Sequence, residues 1–187
     1  LYIEQSHSGL LSPSIKSLMS FCTLTMKELD AVAVSKGPGS YTGLRIGTST
    51  AKGICDAIDK PLIAINTLEA MAFNVSKYIK LENAILCPMI DARRMEVYCL
   101  MVNIEGKILK STSPVIIDTG SFQEELKENQ MIFFGNGADK CKAVIQHENA
   151  YFIEDVEPSA TSVGYLATES FKRNDFEDVA YFDPFYL

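Results

Sequence analysis

The sequence predicts an α/β fold with mixed sheets, and three features predict it. Short apolar runs at 31–34, 62–65 and 84–90 are too brief for helices and read as buried strands. Between the first two lies 42–58, and before them 10–22, both with apolar residues at helical spacing. Two further runs, 95–103 and 108–117, flank Glu105-Gly106-Lys107 and read as strands, the first returning after the strand at 84–90. Strands alternating with helices, plus an antiparallel hairpin, indicate helices layered on mixed sheets.

Each element has a local reason. In 10–22, Leu10, Leu11, Ile15, Leu18, Met19 and Cys22 recur at helical spacing. Its start is open: Ser12 with Pro13 makes a good cap and first-turn pair, while Ser6 or Ser8 would start the helix earlier. Thr25-Met26-Lys27-Glu28 has capping-box form and predicts a short helical turn. The helix over 42–58 carries Leu44, Gly47, Ala51, Ile54, Cys55 and Ile58 on one face, and Asp59-Lys60-Pro61 ends it. Thr67 is expected to cap a helix running to Tyr78. Asp91 to Arg94 forms a turn. A polar helix at 121–129, a strand at 131–134 closed by Gly135-Asn136-Gly137, and helices at 138–146 and 160–173 follow, with an extended aromatic tail at 181–187. The composition shift near 79–83 suggests lobes at 1–80 and 81–187, the C-terminal helix and tail packing back on the first.

The chain has 187 residues and a formal net charge of −7. Its 47% hydrophobic and 22% charged residues are ordinary for a globular protein and exclude disorder. No apolar run reaches the ~18–20 residues of a membrane span. The start, Leu1-Tyr2-Ile3-Glu4-Gln5, lacks a basic region and a long apolar core, so no secretory leader is expected; without an initial Met, a trimmed chain is. The acidic balance argues against broad binding to nucleic-acid phosphates. Five widely spaced cysteines, Cys22, Cys55, Cys87, Cys99 and Cys141, form no CxxC pair. They read as small buried hydrophobes in a reducing cytoplasm, the first four in visibly apolar surroundings.

The strongest local signal is Ser35-Lys36-Gly37-Pro38-Gly39-Ser40-Tyr41-Thr42-Gly43-Leu44-Arg45-Ile46-Gly47. It follows a strand and opens a helix. Gly37 and Gly39 allow a sharp turn, and Ser40 or Thr42 can cap the helix, whose free N–H groups would attract an anion. The segment is neither GxxxxGK[ST] nor GxGxxG. A tight connector without a ligand is the simpler reading, and a phosphate cradle the sharper one. Gly43, Gly47 and Ala51 recur every four residues, a spacing that lets two helix backbones approach closely, so this side is expected to pack on another helix, within the chain or from another subunit.

This turn, continued by Ala51-Lys52-Gly53, resembles the signature of the bacterial TsaB (YeaZ) family. So do Asn66-Thr67-Leu68-Glu69-Ala70-Met71-Ala72, Asp91-Ala92-Arg93 with Glu96-Val97-Tyr98, Gly135-Asn136-Gly137, Pro158-Ser159-Ala160 and Pro184-Phe185-Tyr186-Leu187. His7-Ser8 with Leu10-Leu11 resembles the start of the family's first helix. The resemblance implies an actin/Hsp70-like (ASKHA) fold of two lobes, with a further hairpin ahead of that helix that this chain does not include. It also implies a scaffold role in forming N6-threonylcarbamoyladenosine at position 37 of tRNA. The expected partners are a TsaD-like transferase and a TsaE-like ATPase, with a homodimer when alone, tRNA reached only through the complex, no membrane and a cytoplasmic setting.

The transferase of this superfamily holds a metal through two histidines in a run of the form Asn-His-x-Glu-x-His. The matching run here puts Thr67 and Met71 at the histidine positions, so no catalytic residue and no metal are expected. His7 and His147 match no metal spacing, and an older peptidase label finds no support. The expected partner surface is Leu10, Leu11, Ile15 and Leu18 with Gly43, Leu44, Gly47 and Ala51. A weaker expectation, an ASKHA enzyme acting alone on ATP, would use Gly37, Gly39, Ser40, Thr42, Asp91, Gly135 and Gly137; in the scaffold reading no cofactor is firmly implied, and the place left for ATP or ADP is the complex. The plainer reading of Asp91 is turn chemistry, and of Gly135-Asn136-Gly137 a turn needing positive φ.

Overall fold

The computed structural model describes residues 7–186, with side chains from residue 9 onward. The described residues divide into two compact units, 7–65 with 163–186, and 66–162. The division falls after Ile65, ahead of the composition shift at 79–83, because the helix that follows packs on a strand of the second unit.

The first unit holds α1 (His7–Phe21), a 3-10 turn (Met26–Glu28), β1 (Val32–Gly37), α2 (Tyr41–Ile58) and β2 (Leu62–Asn66) up to Ile65. α1 runs through Pro13, which lies on an exposed side of the helix, so the Ser12–Pro13 start is not used. A cap at Ser6 lies outside the described residues. The Glu28 carboxylate accepts from the Thr25 amide at 2.7 Å and the Thr25 hydroxyl at 2.8 Å, as the capping-box sequence predicts. Ser40 caps α2, and Asp59 closes it in the left-handed region. Among the described residues β1 and β2 form a two-stranded sheet. The core joins Ala51 and Cys55 of α2 to Leu62 and Phe182, with Val32, Val34, Ala64 and Val179 packed around them. The C-terminal segment completes this core. The Glu177 amide donates to the Leu62 carbonyl at 2.9 Å, and the Phe185 amide to the Lys36 carbonyl at 2.7 Å.

The second unit is a five-stranded mixed sheet. Its strands are β3 (Ile85–Asp91), β4 (Glu96–Asn103), β5 (Ile108–Ile116), β6 (Met131–Phe134) and β7 (Ala150–Ile153), in the order β5-β4-β3-β6-β7. β3 pairs antiparallel with β4 and parallel with β6. β3 is therefore central and buried on both faces, which explains its unbroken apolar run. One face, with Cys87, Met89, Val97, Cys99 and Phe133, packs on Leu126 of α4 (Gln123–Glu128) and on Cys141 and Ile145. The other, with Leu86, Ile90, Leu100 and Phe134, packs on Leu68, Met71, Ala72 and Val75 of α3 (Thr67–Ser76). Asn66, not Thr67, caps α3: its side-chain oxygen accepts from the amides of Leu68 (2.8 Å) and Glu69 (3.3 Å).

Two segments depart from the sequence reading. The helix expected at 138–146 is a 3-10 turn, Asp139–Cys141, followed by turns. Its i→i+3 bonds go with burial of Cys141 and Ile145 in the core and with anchoring of Lys140 elsewhere, so tertiary contacts override helical spacing. β7 lies where the sequence pattern predicts no element; it adds a parallel strand beside β6. α5 (Ala160–Lys172) follows as expected. The cysteine expectation is corrected in one place: Cys22 is exposed, while Cys55, Cys87, Cys99 and Cys141 are buried.

Candidate functional site

α1 ends in an exposed apolar surface. Leu10, Leu11 and Ile15 are half-buried, whereas Leu18 is 62% and Phe21 87% exposed, and Leu24 beyond them is exposed too. Lone exposed apolar residues are common, but three close together on one short stretch call for an explanation. The small residues of α2 face differently. A β-carbon at Gly47 would meet Val34 of β1 at 3.8 Å, and Ala51 is buried in the core. Packing inside the same unit thus accounts for Gly47 and Ala51. Gly43 sits against Ser40, and Leu44 fills the bend of the glycine turn, 3.2 Å from a β-carbon placed at Gly37.

The glycine turn is built to let the C-terminal segment approach. Gly37 is buried at φ +107°, and a β-carbon there would lie 2.8 Å from the Phe185 carbonyl oxygen. Gly39 has only Leu44 near it. The Ser40 hydroxyl accepts from the Gly43 amide at 3.4 Å, a long bond that leaves the cap loosely held, and Thr42 is exposed. These features give the turn a packing role as a connector.

In the second unit, Gly135 and Gly137 lie against the end of β3, where Asp91 pairs with a lysine that the sequence did not single out. The Lys140 ammonium pairs with the Asp91 carboxylate and donates to the carbonyls of Arg94 (2.7 Å), Glu96 (2.7 Å) and Arg93 (3.4 Å). The Lys140 bond, seconded by the Arg93 amide at 3.0 Å, holds the Asp91 carboxyl below the usual carboxylate range. Asn136 accepts from the Asp91 amide at 3.0 Å. A β-carbon at Gly137 would meet the Ile90 carbonyl carbon at 2.8 Å, so this glycine serves close backbone packing. Lys140 thus supplies the positive charge at Asp91 from within the chain. No motif announces it, because it stands 49 residues from Asp91.

The run expected to have lost its metal ligands lies in the core. Thr67 is 5% and Met71 1% exposed. Among the described residues no group of three or more His, Cys, Asp or Glu is placed to hold a metal ion. Burial raises the Cys141 thiol to about 11 and raises Cys87 as well, so both stay protonated and inert at neutral pH. No helix among the described residues is long and apolar enough to cross a membrane.

The family described as TsaD, tRNA N6-adenosine threonylcarbamoyltransferase, matches residues 2–184. A Bacillus subtilis protein named tRNA threonylcarbamoyladenosine biosynthesis protein TsaB is 31% identical over 148 residues, covering 78% of this chain and 63% of that protein. A Wolbachia pipientis tRNA N6-adenosine threonylcarbamoyltransferase is 38% identical over 107 residues, covering 57% of this chain and 31% of that protein. The chain therefore spans less than two thirds of the length of these relatives. A solved Pseudomonas aeruginosa protein, described as similar to peptidase YeaZ, superposes with a TM-score of 0.87 at 22% identity, covering 100% of this chain and 87% of that one. That likeness gives the fold, which is ASKHA-like with mixed sheets.

Proposed function

We propose a role in forming N6-threonylcarbamoyladenosine in tRNA, from the premise that this chain belongs to the TsaD family and, within it, to the TsaB (YeaZ) group. The chain acts there as a non-catalytic scaffold that binds and activates a TsaD-like transferase, with a TsaE-like ATPase joining them. Alone it pairs with a second copy through the same surface. It works in the cytoplasm and meets tRNA through the complex, since its charge of −7 gives little attraction for phosphates.

The observation that carries this reading is the exposed apolar end of α1, Leu18 and Phe21, beside the half-buried Leu10, Leu11 and Ile15. Such a face gains free energy when a partner helix covers it, about 25 cal/mol per Å² removed from water. α1 packs on α2, and Gly43 and Leu44, half-buried at the start of α2, are assigned to the same surface as part of this proposal. Burial of Met71 and Thr67 supports a supporting rather than catalytic role, because core packing occupies the positions of the metal-binding histidines.

The test is reconstitution of tRNA modification from a TsaD-type transferase and a TsaE-type ATPase, with and without this chain. The modified nucleoside is read by mass spectrometry. Modification is expected only when the chain is present, and none from the chain alone. Equal modification without it refutes the scaffold role; modification by the chain alone establishes an enzyme.

A further inference from the structure

A groove of about 550 Å³ in the first unit lies apart from the apolar face of α1. One wall is the side of α2 that carries Tyr41, Arg45, Thr48, Ser49 and Lys52; the other is the C-terminal segment with Phe182, Asp183, Pro184 and Tyr186. Residues three and four apart on a helix share a face, so Thr48 stands between Arg45 and Lys52.

The walls are fixed before any ligand arrives. Phe182 is part of the core. The Lys52 ammonium donates to the carbonyls of Ala180 (3.1 Å) and Phe182 (2.9 Å), which uses two of its three donors. At one end the rings of Tyr41 and Tyr186 meet with centroids 5.0 Å apart. The Arg45 guanidinium lies 5.5 Å from the centroid of the Tyr41 ring and donates to the Tyr41 hydroxyl at 3.0 Å. That contact uses one of its five N–H groups and orients the rest.

Thr48 is the observation that points to a ligand. It is 96% buried, and its hydroxyl has no hydrogen-bond partner among the described residues. A buried hydroxyl left unpaired costs free energy, and native proteins rarely leave one. Thr48 lines a groove large enough for a ligand and stands between two cations on that side of α2. A hydroxyl, an ammonium and a guanidinium offer donors in three directions. A tetrahedral oxyanion has enough oxygens to accept all three, whereas a carboxylate presents two in one plane. Asp183 on the facing wall offsets one positive charge and so limits the affinity.

We propose that this groove binds a small phosphate-type oxyanion, held by Arg45, Thr48 and Lys52. The oxyanion is inorganic phosphate or the phosphate of a monoester whose organic part rests on Tyr41 and Tyr186. This inference does not rest on the proposed scaffold role, since it can be tested without any partner.

The test titrates the full chain with inorganic phosphate and, in a second arm, with phenyl phosphate, at constant ionic strength set with chloride, while following backbone amide signals. Saturable shifts are expected at Thr48, Ser49 and Asp183 and not in the second unit. Tighter binding of phenyl phosphate assigns the monoester as the occupant, and equal binding assigns free phosphate. Thr48→Val, which keeps the shape, is expected to weaken binding about tenfold, and Arg45→Met by at least that much. Asp183→Asn is expected to tighten it several-fold, an outcome that damage to the fold would not produce. Shifts that do not saturate in either arm, or unchanged affinity in Thr48→Val and Asp183→Asn, overturn the proposal.

Discussion

Met71 of α3 lies directly over Gly135 at the end of β6: a β-carbon at Gly135 would stand 2.7 Å from Met71 Cε and 2.4 Å from the Met89 carbonyl oxygen. Gly135 also has φ +95°. The glycine and the methionine are thus two halves of one packing solution. Gly135→Ala adds backbone strain to an overlap that the Met89 carbonyl cannot relieve, and should cost at least ~2 kcal/mol by urea denaturation. Gly53→Ala is the control of opposite sign. Nothing lies within 4 Å of a β-carbon there, inside α2, so it should gain about 0.5–1 kcal/mol.

Lys140 and Asp91 make an unequal pair. Lys140→Met takes its donor from the Arg94 carbonyl and one of two from the Glu96 carbonyl, which still accepts from the Ala92 amide, and should cost about 1–3 kcal/mol. Asp91→Asn should cost under ~1 kcal/mol, because the carboxylate is half exposed. The pH dependence has a definite sign. The folded carboxyl lies below its unfolded value near ~3.9, so its contribution is complete above that value and lost as pH falls through the lower, folded one. The Tm of the wild type should therefore drop more steeply below pH ~4 than that of Asp91→Asn, with parallel curves above pH ~5.

Local chemistry was legible and long-range chemistry was not. The Thr25–Glu28 box, the Ser40 cap and the alternation of strands with helices are all encoded within a few residues. The ties that position the candidate sites are not. Lys52 reaches Ala180 across 128 positions, and Lys140 reaches Asp91 across 49. The expected helix at 138–146 fails for the same reason, since its lysine and its buried Cys141 answer to other strands. Even a cap was misplaced by one residue: Asn66 and Thr67 both favour that position, and only the geometry shows which oxygen meets the free amides. The stripe Gly43, Gly47, Ala51 has the spacing of a helix–helix contact, but spacing cannot name the neighbour, which at Gly47 is the Val34 side chain of β1 at 3.8 Å.

The proposed partner surface calls for substitutions that spare the fold. Leu18→Glu and Phe21→Glu alter exposed side chains, so the Tm should change little while self-association and binding to a TsaD-type transferase weaken by about tenfold or more. Sedimentation of the chain alone and of the mixture checks both. Leu11→Glu and Gly47→Arg are less clean. Leu11 is half-buried and Gly47 faces Val34, so each should also lower the Tm. If the Leu18→Glu, Phe21→Glu double variant associates as tightly as wild type, the surface lies elsewhere.

Cys22 offers a probe of the same surface. It is the exposed thiol among five, one residue beyond α1 and next to Phe21. Under native conditions a maleimide reagent should modify Cys22 within minutes and leave Cys55, Cys87, Cys99 and Cys141 untouched until the chain is unfolded, because burial removes access and keeps Cys87 and Cys141 protonated. Mass spectrometry of the intact chain distinguishes one adduct from five. If a partner helix covers the end of α1, labelling of Cys22 should slow as the partner is added, in step with complex formation. Unchanged labelling at saturating partner would place Cys22 outside the contact, and with it the exposed end of the helix that Phe21 closes.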